Sequence, residues 1–123
     1  MLRIAVYCAL LLALACGDAS AAAVAAAKPD TKSPTGVAKA LYSAWKAKAR
    51  KPALTVATPE AVTKLFGVRW RTMRFEGCNA REEGGFECIY RERATDLSLA
   101  MNVDGGASLG GYNVVSLSFS SEE

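Results

Sequence analysis

Apolar residues follow three different spacings along this chain, and each spacing specifies a different kind of segment. From Ile4 to Ala15 they are contiguous, behind a single cation at Arg3. That run is shorter than the about 20 apolar residues a permanent membrane helix needs. A basic start, an apolar core and small residues after it read as an export signal. Further on, Val37, Ala40, Leu41, Ala44 and Trp45 recur at steps of three and four, so they share one face of a helix. Thr35-Gly36 opens this pattern, and Lys39, Lys46 and Lys48 lie off the stripe. The cations from Lys46 to Lys51 complement the negative end of the helix dipole, and Pro52 is expected to stop the helix. A second, short helix has Thr58 as its cap, Pro59 as its first residue and Glu60 in its first turn. Val62, Leu65 and Phe66 form its apolar side and Gly67 ends it. Ala53 to Ala57 reads as a helical turn joining the two.

After Gly67 the period changes to two. Val68 to Glu76 alternates less cleanly, with Trp70 on one side and Met73 and Phe75 on the other. Phe86, Cys88 and Tyr90 alternate with Glu87, Ile89 and Arg91. Leu97, Leu99, Met101 and Val103 alternate with Ser98, Ala100 and Asn102. In Asn113 to Phe119, Val115, Leu117 and Phe119 share one face and Ser116 and Ser118 the other. Gly84-Gly85 and the stretch from Gly105-Gly106 to Gly110-Gly111 are hairpin signals. Alternation with one polar face specifies an antiparallel sheet covered on one side, and the helices supply the cover. The expected fold is α+β: two N-terminal helices packed on a four-stranded antiparallel meander.

The leader has two readings for its end. Leu14-Ala15-Cys16 fits the lipobox pattern, with Cys16 becoming a lipidated N-terminus and Ala13 standing where leucine is commoner. Alternatively Ala19-Ser20-Ala21 or Ala23-Val24-Ala25 is an A-x-A cleavage site. The chain then divides into a signal over residues 1–21, or 1–15 with lipidated Cys16, an Ala/Pro-rich linker over 22–34 and a single domain over 35–121. Removing the leader from 123 residues leaves about one hundred, enough for one small domain. The formal charge of +3 is too mild for a nucleic-acid binder. The cations nonetheless gather as Lys46, Lys48, Arg50 and Lys51, then Arg69, Arg71 and Arg74. Such groups are either solvated surface or a patch for an anionic lipid or acidic partner.

Four cysteines become two or three once the leader goes, since Cys8 leaves with it and Cys16 only if it is not lipidated. Cys78 and Cys88 remain, around the Gly84-Gly85 turn, and in an exported chain they read as a disulfide. Two cysteines with no histidine make a poor zinc site, and their spacing is not that of a C-x-x-C redox pair.

The catalytic inventory is thin. With no histidine, Ser-His-Asp and Cys-His arrangements are excluded. The glycine-rich stretch from Gly105 to Gly111 lacks the lysine of a phosphate loop and precedes no helix. Paired carboxylates remain as candidates: Glu87 with Asp96, or Glu76 with Glu92. Glu87 falls on the strand face opposite Phe86, Cys88 and Tyr90, where Arg91 and Arg93 suggest ion pairing instead. Trp45, Trp70, Tyr90 and Tyr112 are candidates for an apolar pocket or contact surface, and equally for core.

The segment ALYSAWKAKARKPALTVATPEAVTKLF, Ala40 to Phe66, resembles the first helices of the nuclear transport factor two-like (SnoaL-like, cystatin-type) α+β class. The resemblance covers residues 37–119. It implies a cone-like sheet with a concave face that the helices partly close. Enzymes of that class place Asp and His in the cone, and this chain has no histidine, so no catalytic residue carries over. The layout of helices, four strands and an interstrand disulfide is also similar to the half-domain of β-lactamase inhibitor protein, as an analogy.

These readings converge on an exported, non-catalytic binding domain at a bacterial cell envelope: periplasmic, extracellular, or held at the membrane only through a lipid on Cys16. No cofactor, no metal and no nucleic acid are expected. The expected partner is an envelope protein on the sheet or a small apolar molecule in the cone. The alternatives are a secreted inhibitor of a hydrolase, and a histidine-free isomerase or hydratase using Asp96, Glu87 or Tyr90.

Overall fold

The computed structural model describes residues 30–106 and 110–121. The expected leader with its three candidate cleavage sites, Cys8, Cys16, linker residues 22–29 and Ala107 to Leu109 of the glycine-rich stretch lie outside the described residues.

The fold is α+β, with helices first and strands after. Helix α1 spans Pro34–Ala47, α2 Arg50–Leu54 and α3 Pro59–Phe66; strands β1 to β4 span Arg74–Ala80, Phe86–Arg91, Leu97–Gly106 and Gly111–Ser121. Among the described residues there are thus three helices where the apolar period predicts two. α1 starts one residue before the expected Thr35. Ser33 is extended and its side chain accepts from Gly36 N at 3.0 Å, with Pro34 in the first turn. Its other end falls before Pro52, at Lys48. This residue turns left-handed (φ 55°), and the N–H groups of Lys48 and Ala49 close on Trp45 and Ala44 carbonyls at 3.1 and 2.9 Å. Pro52 does not stop the helix. It sits in the first turn of α2, where its missing N–H has no intrahelical acceptor to lose. α3 matches its sequence signals: Thr58 accepts from Ala61 N at 3.3 Å and Gly67 caps the end. Among the described residues, no helix is long and apolar enough to cross a membrane.

The sheet is a plain meander, β1-β2-β3-β4, with every neighbouring pair antiparallel. Its first strand begins at Arg74 rather than Val68. The segment before it is hung on α1 instead. Trp45 Nε1 donates to the Val68 carbonyl at 2.9 Å, and the Tyr42 hydroxyl donates to the Arg71 carbonyl and accepts from Met73 N, both at 2.8 Å.

Both edge strands carry a bulge, and each corrects a parity that simple alternation cannot meet. Phe75 and Cys78 are three apart, so a regular strand would send them to opposite faces. In β1, Glu76 and Gly77 together oppose Ile89, with Gly77 at φ 111°, and Phe75 and Cys78 both reach the helix side. In β4 the shift opposite Asn102/Val103 brings Val114 and Leu117 inward together. Val114 is fully buried and Val115 only half-buried, reversing the expected face of Val115. The cause lies in the connection between α2 and α3. Val114 N donates to Val56 O at 2.8 Å and Thr58 N to Val114 O at 2.9 Å, so residues 56–58 occupy the free edge of β4. Further along that edge Tyr112 N donates to Thr31 O at 2.7 Å, which ties the last residues assigned to the linker onto the sheet. Covering the edge removes a template for pairing with another chain.

One apolar cluster fills the space between the layers. Val37, Ala38, Leu41, Ala44 and Trp45 of α1 and Val62 and Leu65 of α3 pack on Cys88, Tyr90, Leu99, Met101, Val103, Val114 and Leu117. Cys78 and Cys88 are directly opposed across β1 and β2, with Cα atoms 4.0 Å apart, and are joined. The bridge lies beneath the first turn of α1: Thr35 Oγ1 donates to Cys78 Sγ at 3.7 Å, and Cys88 Sγ is 3.8 Å from the Pro34 carbonyl oxygen. It therefore fastens the sheet where α1 begins.

Closing so short a loop contributes about 2–3 kcal/mol by chain entropy. Reduction of Cys78–Cys88 is expected to lower the melting temperature by about 10 °C or more in a domain of this size, read by thermal unfolding with and without reductant. An unchanged melting curve would show the bridge to be energetically idle.

Candidate functional site

The aromatic residues form a row under and beside α1. Tyr42 stacks on Tyr90 at 4.3 Å between ring centroids, and Tyr90 meets Phe75 at 5.0 Å. Tyr42 also touches Trp45 at 5.8 Å and Trp70 at 6.0 Å, and Trp45 reaches Phe119 at 5.9 Å. Lys39 and Lys46 cover the outer end, with Nζ 5.1 Å from the Phe75 ring and 5.4 Å from the Trp70 ring. Of the four aromatic candidates, Trp45, Trp70 and Tyr90 are thus brought together. Tyr112 is not: it lies at the other end of the sheet against Phe86, at 5.8 Å. Trp45 and Tyr90 are only 2% and 4% exposed, so they are wall rather than contact surface. Trp70 is half-buried and helps line a cavity of about 340 Å³ with Trp45, Lys48, Phe66, Val68 and Arg69. Its indole N–H is buried without a partner among the described residues.

The residue that joins the row, Tyr42, is one that sequence reasoning passed over. Its signal was present: it precedes Trp45 by three positions, so the two rings share a helix face. Burial pushes the Tyr90 phenol well above its ordinary range, with the Tyr42 phenol as a second cause.

Tyr42 also shapes the surface. By holding Arg71 and Met73 it fixes where the chain enters β1, and beside that entry lies a cleft of about 470 Å³ lined by Thr72, Met73, Arg74, Arg91, Arg93 and Asp96. Arg74 and Arg91 are directly opposed across β1 and β2. Arg91 Nε donates to Glu76 Oε1 at 3.0 Å. Arg71 pairs with Glu92 at 3.5 Å, and Glu92 also accepts from the Thr95 hydroxyl. Among the described residues, Arg74 and Arg93 make no ion pair.

The candidate carboxylates do not form the pairs proposed for them. Glu76 and Glu92 each hold an arginine, Asp96 lies on the cleft wall at φ 56°, and Glu87 is exposed opposite Asn79 and Asn102. The ion pair expected around Glu87 is made by Glu76 with Arg91 instead, because β1 lies alongside that arginine. Among the described residues, no group of three His, Cys, Asp or Glu is placed to hold a metal ion.

The face of the sheet away from the helices is small and polar toward β4. Asn102 Nδ2 donates to Ser116 Oγ at 2.8 Å, and the hydroxyls of Ser98 and Ser120 are 3.0 Å apart.

None of three comparisons with known proteins, against family models, curated proteins and solved structures, returned a significant match. The function must therefore be argued from these surfaces.

Two outcomes follow for the aromatic row. Tyr42→Phe keeps the ring but strands the Arg71 carbonyl and the Met73 N–H, and is expected to cost about 1–3 kcal/mol in denaturant unfolding. Amide exchange at Met73 should quicken in the same variant. For Tyr90, the unfolded phenol ionises near pH 10 and the folded one only at higher pH. Above about pH 10 the unfolded state thus binds fewer protons, and stability falls as pH rises. Its contribution is whole below that pH, and Tyr90→Phe should flatten the alkaline slope of an unfolding-versus-pH series.

Proposed function

We propose that this chain is an exported, non-catalytic binding domain of the cell envelope, working through its outer surface. One observation carries the reading. The inner face of the sheet is filled, and no charged side chain is buried among the described residues, so every charged group able to recognise a partner points outward. An enclosed reaction site needs a carboxylate or other acid-base group withdrawn from water; Glu87 and Asp96 are exposed, and Tyr90, though buried, is packed between the Tyr42 and Phe75 rings. A small apolar ligand in the cone would have to displace Leu41, Leu99 or Met101, all fully buried. Contact by an envelope protein on the open sheet face and its arginine-lined rim needs no such rearrangement. The Cys78–Cys88 bridge and the leader support an oxidising address.

Inhibition of a hydrolase is the second reading. It is favoured by the Gly84-Gly85 turn, which lies tight against β3 at one end of the sheet: a Cβ on Gly85 would meet Asp104 and the Val103 carbonyl.

The test is site-specific photocrosslinking in intact envelopes. Probes at Ser118 on the open face and Thr72 on the rim are expected to give one defined adduct, and a probe at Lys64 on α3 none. Turnover of a substrate by purified mature protein, abolished by Glu87→Gln or Asp96→Asn, would overturn the reading. Mass spectrometry of the mature N-terminus checks the address: a diacylglyceryl Cys16 or a cut after Ala21 or Ala25 supports export, and an uncut Met1 contradicts it.

A further inference from the structure

We infer that the cleft between the entry to β1 and the β2–β3 turn is a binding site for a phosphate group. The inference rests on the surface-binding reading above and names the ligand chemistry of one part of that surface. Three arginines line one cavity of about 470 Å³: Arg74 from β1, Arg91 from β2 and Arg93 from the turn beyond it. Their source elements differ, so no single strand pattern requires the clustering. Like charges directly opposed across a ladder are destabilising, yet Arg74 and Arg91 are so placed. Glu76 relieves part of this repulsion by pairing with Arg91, and an anion seated beside Arg74 would relieve the rest.

The local charges leave room for that anion. Glu76 offsets Arg91 and Glu92 offsets Arg71. Arg74 and Arg93 make no ion pair among the described residues, and Asp96 is the acidic residue on the cleft lining. Each guanidinium presents up to five N–H donors in a planar fork, matched to phosphate oxygens. A planar carboxylate is satisfied by one such fork, whereas a tetrahedral oxyanion has oxygens left for a second, and Arg74 and Arg93 come from different elements. The Thr72 hydroxyl adds a further donor and Met73 an apolar wall. The clamp from Tyr42 to Arg71 and Met73 fixes this wall before any ligand arrives, which lowers the ordering cost of binding.

The phosphate can belong to a soluble phosphomonoester or to a lipid headgroup, and two arms of one experiment separate them. In the first, inorganic phosphate is titrated into the labelled mature chain at constant ionic strength, with chloride as the matched control. Saturable amide shifts at residues 72–75 and 91–96 are expected. The double variant Arg74→Gln/Arg93→Gln should weaken them by about tenfold or more, and Asp96→Asn should tighten binding. Both arginines are exposed, and the variant's melting temperature verifies its fold. In the second arm, phosphatidylcholine vesicles are compared with and without phosphatidate. Phosphatidate-dependent binding, competed by inorganic phosphate and lost in the double variant, assigns the lipid headgroup. Phosphate binding without vesicle binding assigns the soluble source. Equal shifts with chloride, shifts scattered over the surface lysines, or no response to Arg74→Gln/Arg93→Gln overturn the inference. A defined crosslink from Ser118 with no phosphate binding would sink this inference alone and leave the surface-binding reading standing.

Discussion

A four-stranded meander with one apolar face cannot persist alone in water, and in this protein one helix stripe relieves that constraint. Val37, Ala38, Leu41, Ala44 and Trp45 of α1 lie on the inward side chains of β2, β3 and β4. Fully burying a large apolar side chain is worth about 1.5–3 kcal/mol, so this single interface outweighs any surface ion pair in the molecule, each worth about 0–1 kcal/mol. Everything else is arranged so that the stripe stays seated. The disulfide holds β1 to β2 beneath the start of α1, the Lys48 turn releases the chain at its end, and α3 completes the cover beside β4.

The same contact explains the irregular parts. Each edge strand must present two inward residues of opposite parity, Phe75 with Cys78 and Val114 with Leu117. A bulge is the cheapest way to do so, since one extra residue reverses the alternation. At β4 the bulge coincides with hydrogen bonds from residues 56–58, so the interhelix connection also serves as an edge guard. At β1 the strand starts late because Tyr42 and Trp45 take up the backbone of the segment between Val68 and Met73.

Function is tied to packing through that segment. Tyr42 is at once a ring in the aromatic row and a clamp on the chain that forms the cleft wall. The inner end of the row is dry and structural, and the outer end is basic. Charge lies at the rim, where Arg74, Arg91 and Arg93 line one cleft, while no charged side chain is buried among the described residues.

The sequence by itself determined the α+β class, the helix-then-strand order, the second helix with its Thr58 cap and Gly67 end, and the Cys78–Cys88 pairing. Those features are local: a period, a cap, a turn flanked by two cysteines. It also pointed to Trp45, Trp70 and Tyr90, because large aromatics on apolar faces have few other places to go. Only the tertiary structure decided the rest. Pro52 reads locally as a stop, but the left-handed Lys48 turn had already ended α1. Val115 reads as inward until Val56 and Thr58 dock on Val114 and shift the register. Tyr42 gains its role only when residues about 30 positions later come within hydrogen-bond reach. The arginine cleft joins residues from a strand entry and a distant turn, and no spacing along the chain announces it. Periodicity reports which face a residue occupies within its own element; which elements meet, and at what register, depends on contacts between segments far apart in the chain.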